Sequence, residues 1–585
     1  MALVIHHRTT DQQLQLADNL HPLVQRILRQ RDIASAEQLD LSLANLLPPS
    51  NLLGIEQAVE LLVGHLQSQS KLLIVSDFDA DGATSCALAI RALRFLGFEQ
   101  LDYIVPNRFE YGYGLTPEIV QLAAERSPDL IITVDNGISS LDGVDAAHAE
   151  GIEVLITDHH LPGEQLPDAE SIVNPNQPGC EFASKSLAGV GVIFYLMLAL
   201  RARLRDQGWF SEQNMAEPNL AELLDLVALG TVADVVPLDR NNRILVNEGL
   251  KRIRAGRACP GILALLQVSK RKRHSLVASD LGFAVGPRLN AAGRLEDMSL
   301  GIECLLTDSA DAAYQMVLQL DDLNNDRRLI ENDMREQAFK NLDDLGLDDE
   351  QLPAGLCIYN EDWHQGVIGI LASRVKDKFH RPVIAFADAG SSEQGVEELK
   401  GSGRSIKGFH IRDALDAIAS RHPQLISKFG GHAMAAGLSL DKNRLEDFSR
   451  AFAEHAASLL GEDELLARIV TDGELQDEEF DLSAAEALVA AGPWGQGFPE
   501  PVFDGVFKVL ELRILADKHL KFTLMPSNGD CSLEAIAFNA DMSTGLQVGD
   551  ELRLVYRLSV NEYRDVQRLQ LMVEQFEKIA ADNVV

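Results

Sequence analysis

The sequence predicts an α/β protein in which a parallel-sheet domain is joined by a long helix to a smaller α/β domain, with a five-stranded β-barrel of OB type at the C-terminal end. Three observations carry that prediction. Buried-looking apolar runs alternate with helical stretches between about 55 and 180, and three of the runs end in acidic side chains. Leu72-Leu73-Ile74-Val75 leads into Asp77-Phe78-Asp79-Ala80-Asp81-Gly82, Leu130–Val134 into Asp135-Asn136-Gly137, and Val154-Leu155-Ile156-Thr157 into Asp158-His159-His160. A stretch from Asp308 to about Leu345 keeps helical apolar spacing with no Gly or Pro until Gly346, and beyond about 465 the runs become short and β-rich.

An apolar run with no polar alternation, broken by Asp or Gly, is the pattern of a parallel strand buried on both faces. Strand and helix in alternation give βαβ units with helices covering both faces of the sheet. Residues 1–50 form a helical preface, with a helix expected over 32–39 and a stop at Leu47-Pro48-Pro49; the parallel-sheet domain then occupies 51–265. Its helices are expected at Ala83–Leu96, at Pro117–Arg126 with Thr116 as N-cap and Pro117 in the first turn, and at Leu141–Glu150. Residues 186–256 are more helical, and 266–346 form a helical connector. The second α/β domain spans 347–462, with strands at Gly355–Tyr359 and Val383–Phe386, a glycine-rich loop at Gly401-Ser402-Gly403-Arg404-Ser405 and a glycine-rich patch at Gly430–Gly437. Residues 463–585 hold the barrel, read from runs at Val502–Leu515, Leu520–Met525, Leu552–Val560 and Val566–Val573.

Composition narrows the class. A chain of 585 residues exceeds one hydrophobic core and divides into several domains. No apolar stretch reaches the roughly 18 to 20 residues of a membrane span. The start, Met-Ala-Leu-Val-Ile-His-His-Arg, lacks the parts of a signal peptide, so a cytoplasmic address is expected. The six cysteines are scattered without a C-x-x-C pair, which excludes a zinc or dithiol motif of that kind. A formal charge of −36 argues on its own against phosphate binding, but the acid is concentrated in stretches such as 343–350 and 462–481. Lys270-Arg271-Lys272-Arg273-His274 is a compact basic run, either a solvated loop or a contact for a nucleic-acid backbone.

The three strand ends converge on the carboxyl edge of the sheet, where open α/β folds bind ligands. Carboxylates with imidazoles around an open cavity suit Mn²⁺ or Mg²⁺, which prefer oxygen and accept some nitrogen. An acid shared between two ions holds them roughly 3.5 to 4 Å apart, the arrangement used in phosphoester hydrolysis, and Asp135 on the middle strand end is the candidate bridge. If the segment stays extended, Asp77, Asp79 and Asp81 face one way. A single strand ending in Asp-Gly is ordinarily a turn, and it is the repetition of such ends beside a histidine pair that points to a metal site.

These motifs, with Gly230-Thr231-Val232-Ala233-Asp234 following in order, resemble those of the DHH phosphoesterase superfamily, and Gly430-Gly431-His432 with Ala435-Ala436-Gly437 resembles its associated DHHA1 domain. With the β-rich C-terminal third, the chain is similar to the branch of that superfamily that degrades single-stranded DNA in the 5′-to-3′ direction during repair and recombination. The resemblance implies that Asp77, Asp79, Asp81, Asp135, His159 and Asp234 are metal ligands for two ions, Mn²⁺ or Mg²⁺, and that His160 meets the scissile phosphate. Asp79, Asp81, Asp135, His159, His160 and Asp234 are then the catalytic set, releasing 5′-mononucleotides. Arg288, Asn290, Ser402 and Arg404 are implied phosphate or 5′-end contacts, and Gly431 with His432 a point of close backbone approach, although His432 could equally be a packed hinge residue. Arg108, at the end of another strand, and Arg294 are each either phosphate contacts or surface ion pairs.

Single-strand preference is expected from a narrow cleft between the two α/β domains, with the barrel holding the strand by stacking and charge. Trp494-Gly495-Gln496-Gly497-Phe498 offers two rings for stacking, or is a packed turn. Single-strand-binding protein and a RecQ-type helicase are partners implied by the resemblance, as is a monomeric state. Rival readings are a phosphoesterase for short RNA or cyclic dinucleotides, a pyrophosphatase, and a non-catalytic scaffold. The extra barrel and the lack of a membrane span disfavour the first, the different C-terminal domain of that family disfavours the second, and the complete acid set disfavours the last.

Overall fold

The computed structural model describes residues 4–10, 20–106, 114–344, 352–391, 397–461, 464–527, 529–540, 542, 545–564 and 566–579. The chain divides into two compact units, residues 1–321 together with 470–585, and residues 322–469.

In the first unit, β1 (Leu72–Ser76), β2 (Leu101–Ile104), β3 (Leu130–Val134), β4 (Glu153–Thr157) and β5 (Ser171–Val173) form a five-stranded sheet in the order β2-β1-β3-β4-β5. Every neighbouring pair is parallel. β1 and β3 are buried along their whole length, as unbroken aliphatic runs require. The chain leaves β1 for one side of the sheet and returns to the other side as β3, so the strand order reverses between them. Register matches Ser76 with Val134 and Val134 with Thr157, which brings Asp77, Asp135 and Asp158 to one edge at that reversal.

Helices α1 (Ala80–Leu96), α2 (Pro117–Ala124) and α3 (Leu141–Ala149) follow the first strands, and the Thr116 hydroxyl accepts the Ile119 N–H as an N-cap. Further on come α4 (Gly189–Asp206), α5 (Leu224–Ala233), α6 (Gly286–Leu295) and α7 (Ala310–Asp344), the 35-residue helix expected from the apolar spacing. None of the helices among the described residues is long and apolar enough to cross a membrane.

The barrel belongs to this unit. Its strands β11 (Phe503–Leu515), β12 (His519–Pro526), β13 (Leu533–Ala537), β14 (Glu551–Tyr563) and β15 (Val566–Lys578) close in the order β11-β12-β13-β15-β14. Phe503, Phe507, Phe522 and Tyr556 fill its interior. The strand at Leu533–Ala537 is absent from the runs that stand out in the sequence, because five residues made of one Glu and four small or aliphatic neighbours give little alternation.

The second unit carries β6 (Leu356–Tyr359), β7 (Val383–Ser391), β8 (Glu397–Arg404), β9 (Lys428–Gly431) and β10 (Ala435–Asp441) in the order β9-β10-β8-β7-β6. Only β6 and β7 run parallel. Phe386, Phe448 and Phe452 centre one face of its core.

Two expectations need correction. The N-terminal helix lies at Pro22–Arg29, capped by the His21 ring, whereas residues 32–39 contain only a 3₁₀ turn at Ala36–Leu39. Pro22 in the first turn and apolar residues at 23, 24, 27 and 28 are the stronger helix signal. Gly401–Arg404 is not a loop but the end of β8, paired with β7 and β10; glycine there leaves room for neighbours, since a Cβ on Gly401 would lie 2.5 Å from the Phe386 ring.

Candidate metal centre

The break from β1 into α1 sets the first acids. Asp79 is the N-cap of α1, and its Oδ1 accepts the N–H groups of Asp81 (2.9 Å) and Gly82 (3.0 Å). The segment is therefore not extended through Asp81, which sits in the first helical turn with no exposed surface. Its two carboxylate oxygens receive the Gly189 N–H at 2.6 Å and the Val190 N–H at 3.0 Å, from the start of α4.

Asp135 follows β3 with φ of +63°, a left-handed conformation that Asp tolerates better than most residues. It is 2 % exposed, and its N–H bonds to the Thr157 carbonyl at 3.0 Å. Close approach explains two glycines. A Cβ on Gly189 would lie 2.6 Å from Asp135 Cβ, and one on Gly230 would lie 2.3 Å from the Thr84 hydroxyl and 2.8 Å from Asp81 Oδ1.

His159 Nε2 lies 3.1 Å from Asp135 Oδ1 and 3.5 Å from Asp234 Oδ2. Asp234 comes not from a strand but from the C-cap of α5, where the negative end of the helix dipole adds to the attraction for a cation. His160 is held by Asp158, whose Oδ1 meets the ring Nδ1 at 2.7 Å and accepts both histidine N–H groups, while its Oδ2 accepts the Ile138 N–H. Asn174 and Asn176 donate to the carbonyls of His160 and His159 at 2.9 and 2.6 Å.

Three sets of potential ligand atoms lie within 4.8 Å of one another: Asp135, His159 and His160; Asp81, His159 and Asp234; and Asp77, Asp79 and Asp135. Asp135 and His159 each belong to two sets. Burial, with the charges of neighbouring acids adding to it, pushes the carboxyls of Asp135 and Asp234 well above the usual carboxylate range and Asp81 up to about 7. Burial works against Asp158 as well, but the hydrogen bond and charge of His160 outweigh it and hold the carboxyl at about 2. At His160 burial is likewise outweighed, by the same bond and the Asp158 charge, which raise it to about 9. Crowded acids together with imidazole nitrogen fit oxygen-preferring divalent cations of the Mn²⁺ and Mg²⁺ type.

The remaining site candidates are dispersed. Asn290 on α6 joins the metal cluster, its Oδ1 accepting the Ala80 N–H at 2.8 Å. Arg288 is 8 % exposed, its Nε and Nη2 both 2.8 Å from Asp321 Oδ1 and its Nη1 donating to the Ala284 carbonyl. In the second unit Arg404 Nη1 bonds the Ser402 hydroxyl (3.2 Å) and the Gly403 carbonyl (2.8 Å) at the end of β8. Gly431, with φ of +136°, ends β9, and the His432 N–H closes a turn on the Ala435 carbonyl at 2.7 Å. Ala435 is in register with Arg404, so these two groups adjoin. Arg108 lies outside the described residues.

Trp494 and Phe498 stack on each other at 4.9 Å and 9°, with Arg243 3.9 Å over Phe498 and the Trp494 indole N–H on the Leu488 carbonyl, a packed turn. In the basic run, Lys272 pairs with Glu562 at 2.8 Å and Arg271 with Asp280 at 3.3 Å. Sequence reasoning leaves Asp158 and Gly230 without a role and passes over Gly189, Asn174 and Asn176. The Asn-Pro-Asn after β5 and the Gly-Val-Gly-Val opening of α4 are the available signals.

Comparison with known proteins places these elements in a family setting. The DHH family N-terminal domain matches residues 71–231, the DHHA1 domain residues 353–458, and the RecJ OB domain residues 471–575. The chain is 52% identical over 571 residues to the single-stranded-DNA-specific exonuclease RecJ of Salmonella typhimurium strain LT2, covering 97% of this chain and 98% of that one. It is also 52% identical over 571 residues, with the same coverage, to the protein of that name from Escherichia coli strain K12. Among solved structures, RecJ from Thermus thermophilus in complex with Mn²⁺ superposes with a TM-score of 0.78 at 29% identity, covering 96% of this chain and 76% of that one. Its complex with Mg²⁺ gives 0.73 at 27% identity, covering 96% and 75%.

Proposed function

The chain belongs to the RecJ family of single-stranded-DNA-specific exonucleases, and from that premise we propose that it hydrolyses single-stranded DNA from the 5′ end, releasing 5′-mononucleotides, with two Mn²⁺ or Mg²⁺ ions. The observation that carries this reading is the cluster at the strand-order reversal, where Asp77, Asp79 and Asp135 form one set of potential ligand atoms and Asp81, His159 and Asp234 another, linked by the 3.1 Å approach of His159 Nε2 to Asp135 Oδ1. Asp77, Asp79, Asp81, Asp135, His159 and Asp234 would hold the ions, which when bound supply an activated water and stabilise charge on the phosphoryl group.

The chain's own residues do the rest. Asp79 fixes the start of α1, and the N–H groups of Gly189 and Val190 hold Asp81 in place, so the donor atoms are positioned before any ion arrives. Asp158 fixes His160 through its ring Nδ1 and backbone N–H, which leaves Nε2 for the phosphoryl group. Arg288, Ser402 and Arg404 are the candidates for the 5′-terminal phosphate, and Arg288 would reach one by leaving Asp321. Gly431 and His432 adjoin them, and Asn290 and Arg108 complete the assigned contacts. The barrel would hold the strand beyond the reacting end. We assign the enzyme to DNA repair and recombination in the cytoplasm, as a monomer working with single-strand-binding protein and a RecQ-type helicase, on family membership alone.

The test uses matched single-stranded oligonucleotides labelled at one end or the other, with Mn²⁺ or Mg²⁺ and a duplex control. Early release of the 5′-terminal mononucleotide with the duplex spared is expected. Hydrolysis of short RNA or a cyclic dinucleotide, with single-stranded DNA untouched, would overturn the substrate assignment.

A further inference from the structure

Phe283 is 79% exposed, more than any other large hydrophobic side chain among the described residues. It lies in a single π-helical turn, Leu281–Val285, inserted just before α6. Leu281, Ala284 and Val285 are buried, so the turn anchors itself while presenting the ring to solvent. Such turns interrupt the regular hydrogen-bond ladder and concentrate at functional sites.

Its location gives the exposure a meaning. The turn packs on the last residues of α5: a Cβ on Gly282 would lie 3.3 Å from Val232 Cγ1, and one on Gly286 would lie 3.1 Å from Ala233 Cβ. The next residue after α5 is Asp234, one of the metal-cluster acids. Val235 follows, 63% exposed and held at φ of +62°, a conformation that costs a β-branched residue strain. From the turn, α6 runs on to Asn290, bonded to the Ala80 N–H, and to Gly293, packed on the Phe78 carbonyl. Phe283 therefore opens a segment that runs from the end of α5, which Asp234 follows, to the Phe78 and Ala80 backbone on either side of Asp79, and only three residues, about 4 to 5 Å of helical rise, separate it from the contact at Ala233.

We propose that Phe283 is a stacking platform for an unpaired base of the substrate strand beside the scissile phosphate, an inference that rests on the single-stranded-DNA reading above. An aromatic face accepts any base, as a nuclease without sequence preference requires. It gains nothing from a duplex, whose bases are already stacked on one another. It also grips without further cations, which suits a chain of net charge −36 whose site is crowded with acids.

The test compares kcat/KM of the full-length chain, Phe283→Ala, Phe283→Trp and Phe283→Leu on a single-stranded oligonucleotide and on one whose first nucleotides are abasic. Phe283→Ala should lose between about 5-fold and about 150-fold on the normal strand, the range of one base–aromatic stack. Phe283→Trp should restore activity, Phe283→Leu should not, and all four proteins should converge on the abasic strand. Wild-type activity in Phe283→Ala, equal losses on both strands, or full rescue by Leu would each overturn the stacking role. A wild-type chain that spares single-stranded DNA would overturn the functional reading and the stacking role with it, and so is distinguishable from failure of the stack alone.

Discussion

Replacing Gly189 by alanine tests whether the metal cluster depends on the close seating of α4. The added Cβ would lie 2.6 Å from Asp135 Cβ and Oδ1, against about 3.5 Å for ordinary carbon contact, so something must move by roughly 1 Å. Asp135 has little freedom, being buried with its N–H on the Thr157 carbonyl, and Gly189 is itself tied to Asp81. The displacement therefore reaches two acids at once. Overpacking of this kind costs about 1 to 3 kcal/mol of stability, and a 1 Å error in a catalytic group can cost about 100-fold in rate. Urea unfolding and single-turnover release from a 5′-labelled single strand measure the two effects. Gly64→Ala is the control: it lies inside the helix Ile55–Ser68 with nothing within 4 Å of the added methyl, and should gain about 0.5 to 1 kcal/mol with no change in rate. A Gly189→Ala protein with wild-type stability and rate would refute the packing argument.

Three further outcomes follow from the same geometry. Burial raises the carboxyl of Asp225, although it accepts the Cys259 N–H at 2.7 Å; a raised acid weakens the folded state as pH climbs above its unfolded value, so the stability of Asp225→Asn relative to wild type should increase from pH 4 to pH 8 in urea titrations, and a constant difference would contradict this. Mn²⁺ at a hundred times its Kd should stabilise the wild-type chain against unfolding by about 2.7 kcal/mol, whereas a doubly substituted Asp135→Asn, Asp234→Asn chain should show no such gain in thermal scans. Phe498→Ala should cost about 3 to 5 kcal/mol in urea unfolding, because the ring is 5% exposed between Trp494 and Arg243; unchanged stability with weakened single-strand binding would instead make that pair a base platform.

The parallel sheet and its acidic edge were legible because burial on both faces demands unbroken apolar runs, and a functional edge breaks them with Asp and Gly. α7 was legible for a similar reason, its period persisting for 35 residues without a breaker. Side-chain direction at Asp81 was not, since an Asp-Gly pair serves a turn or a capped helix equally, and the capping by Asp79 decides it. Ser402 and Arg404 were expected in a loop because closely spaced glycines dominate the local composition, whereas Gly401 makes room for Phe386 and Leu438 inside a sheet. Partners brought from far along the chain, such as Gly189 to Asp81 and Asp321 to Arg288, have no local signature. Phe283 was passed over because a lone aromatic in a helical segment reads as core until its exposure is known.

The most direct test of the central claim is Asp135→Ala, assayed for both hydrolysis and binding of a single-stranded oligonucleotide. If Asp135 is the acid shared by two ligand sets, hydrolysis disappears while binding stays near wild type. Hydrolysis at the wild-type rate in that variant would contradict the two-metal account of the site.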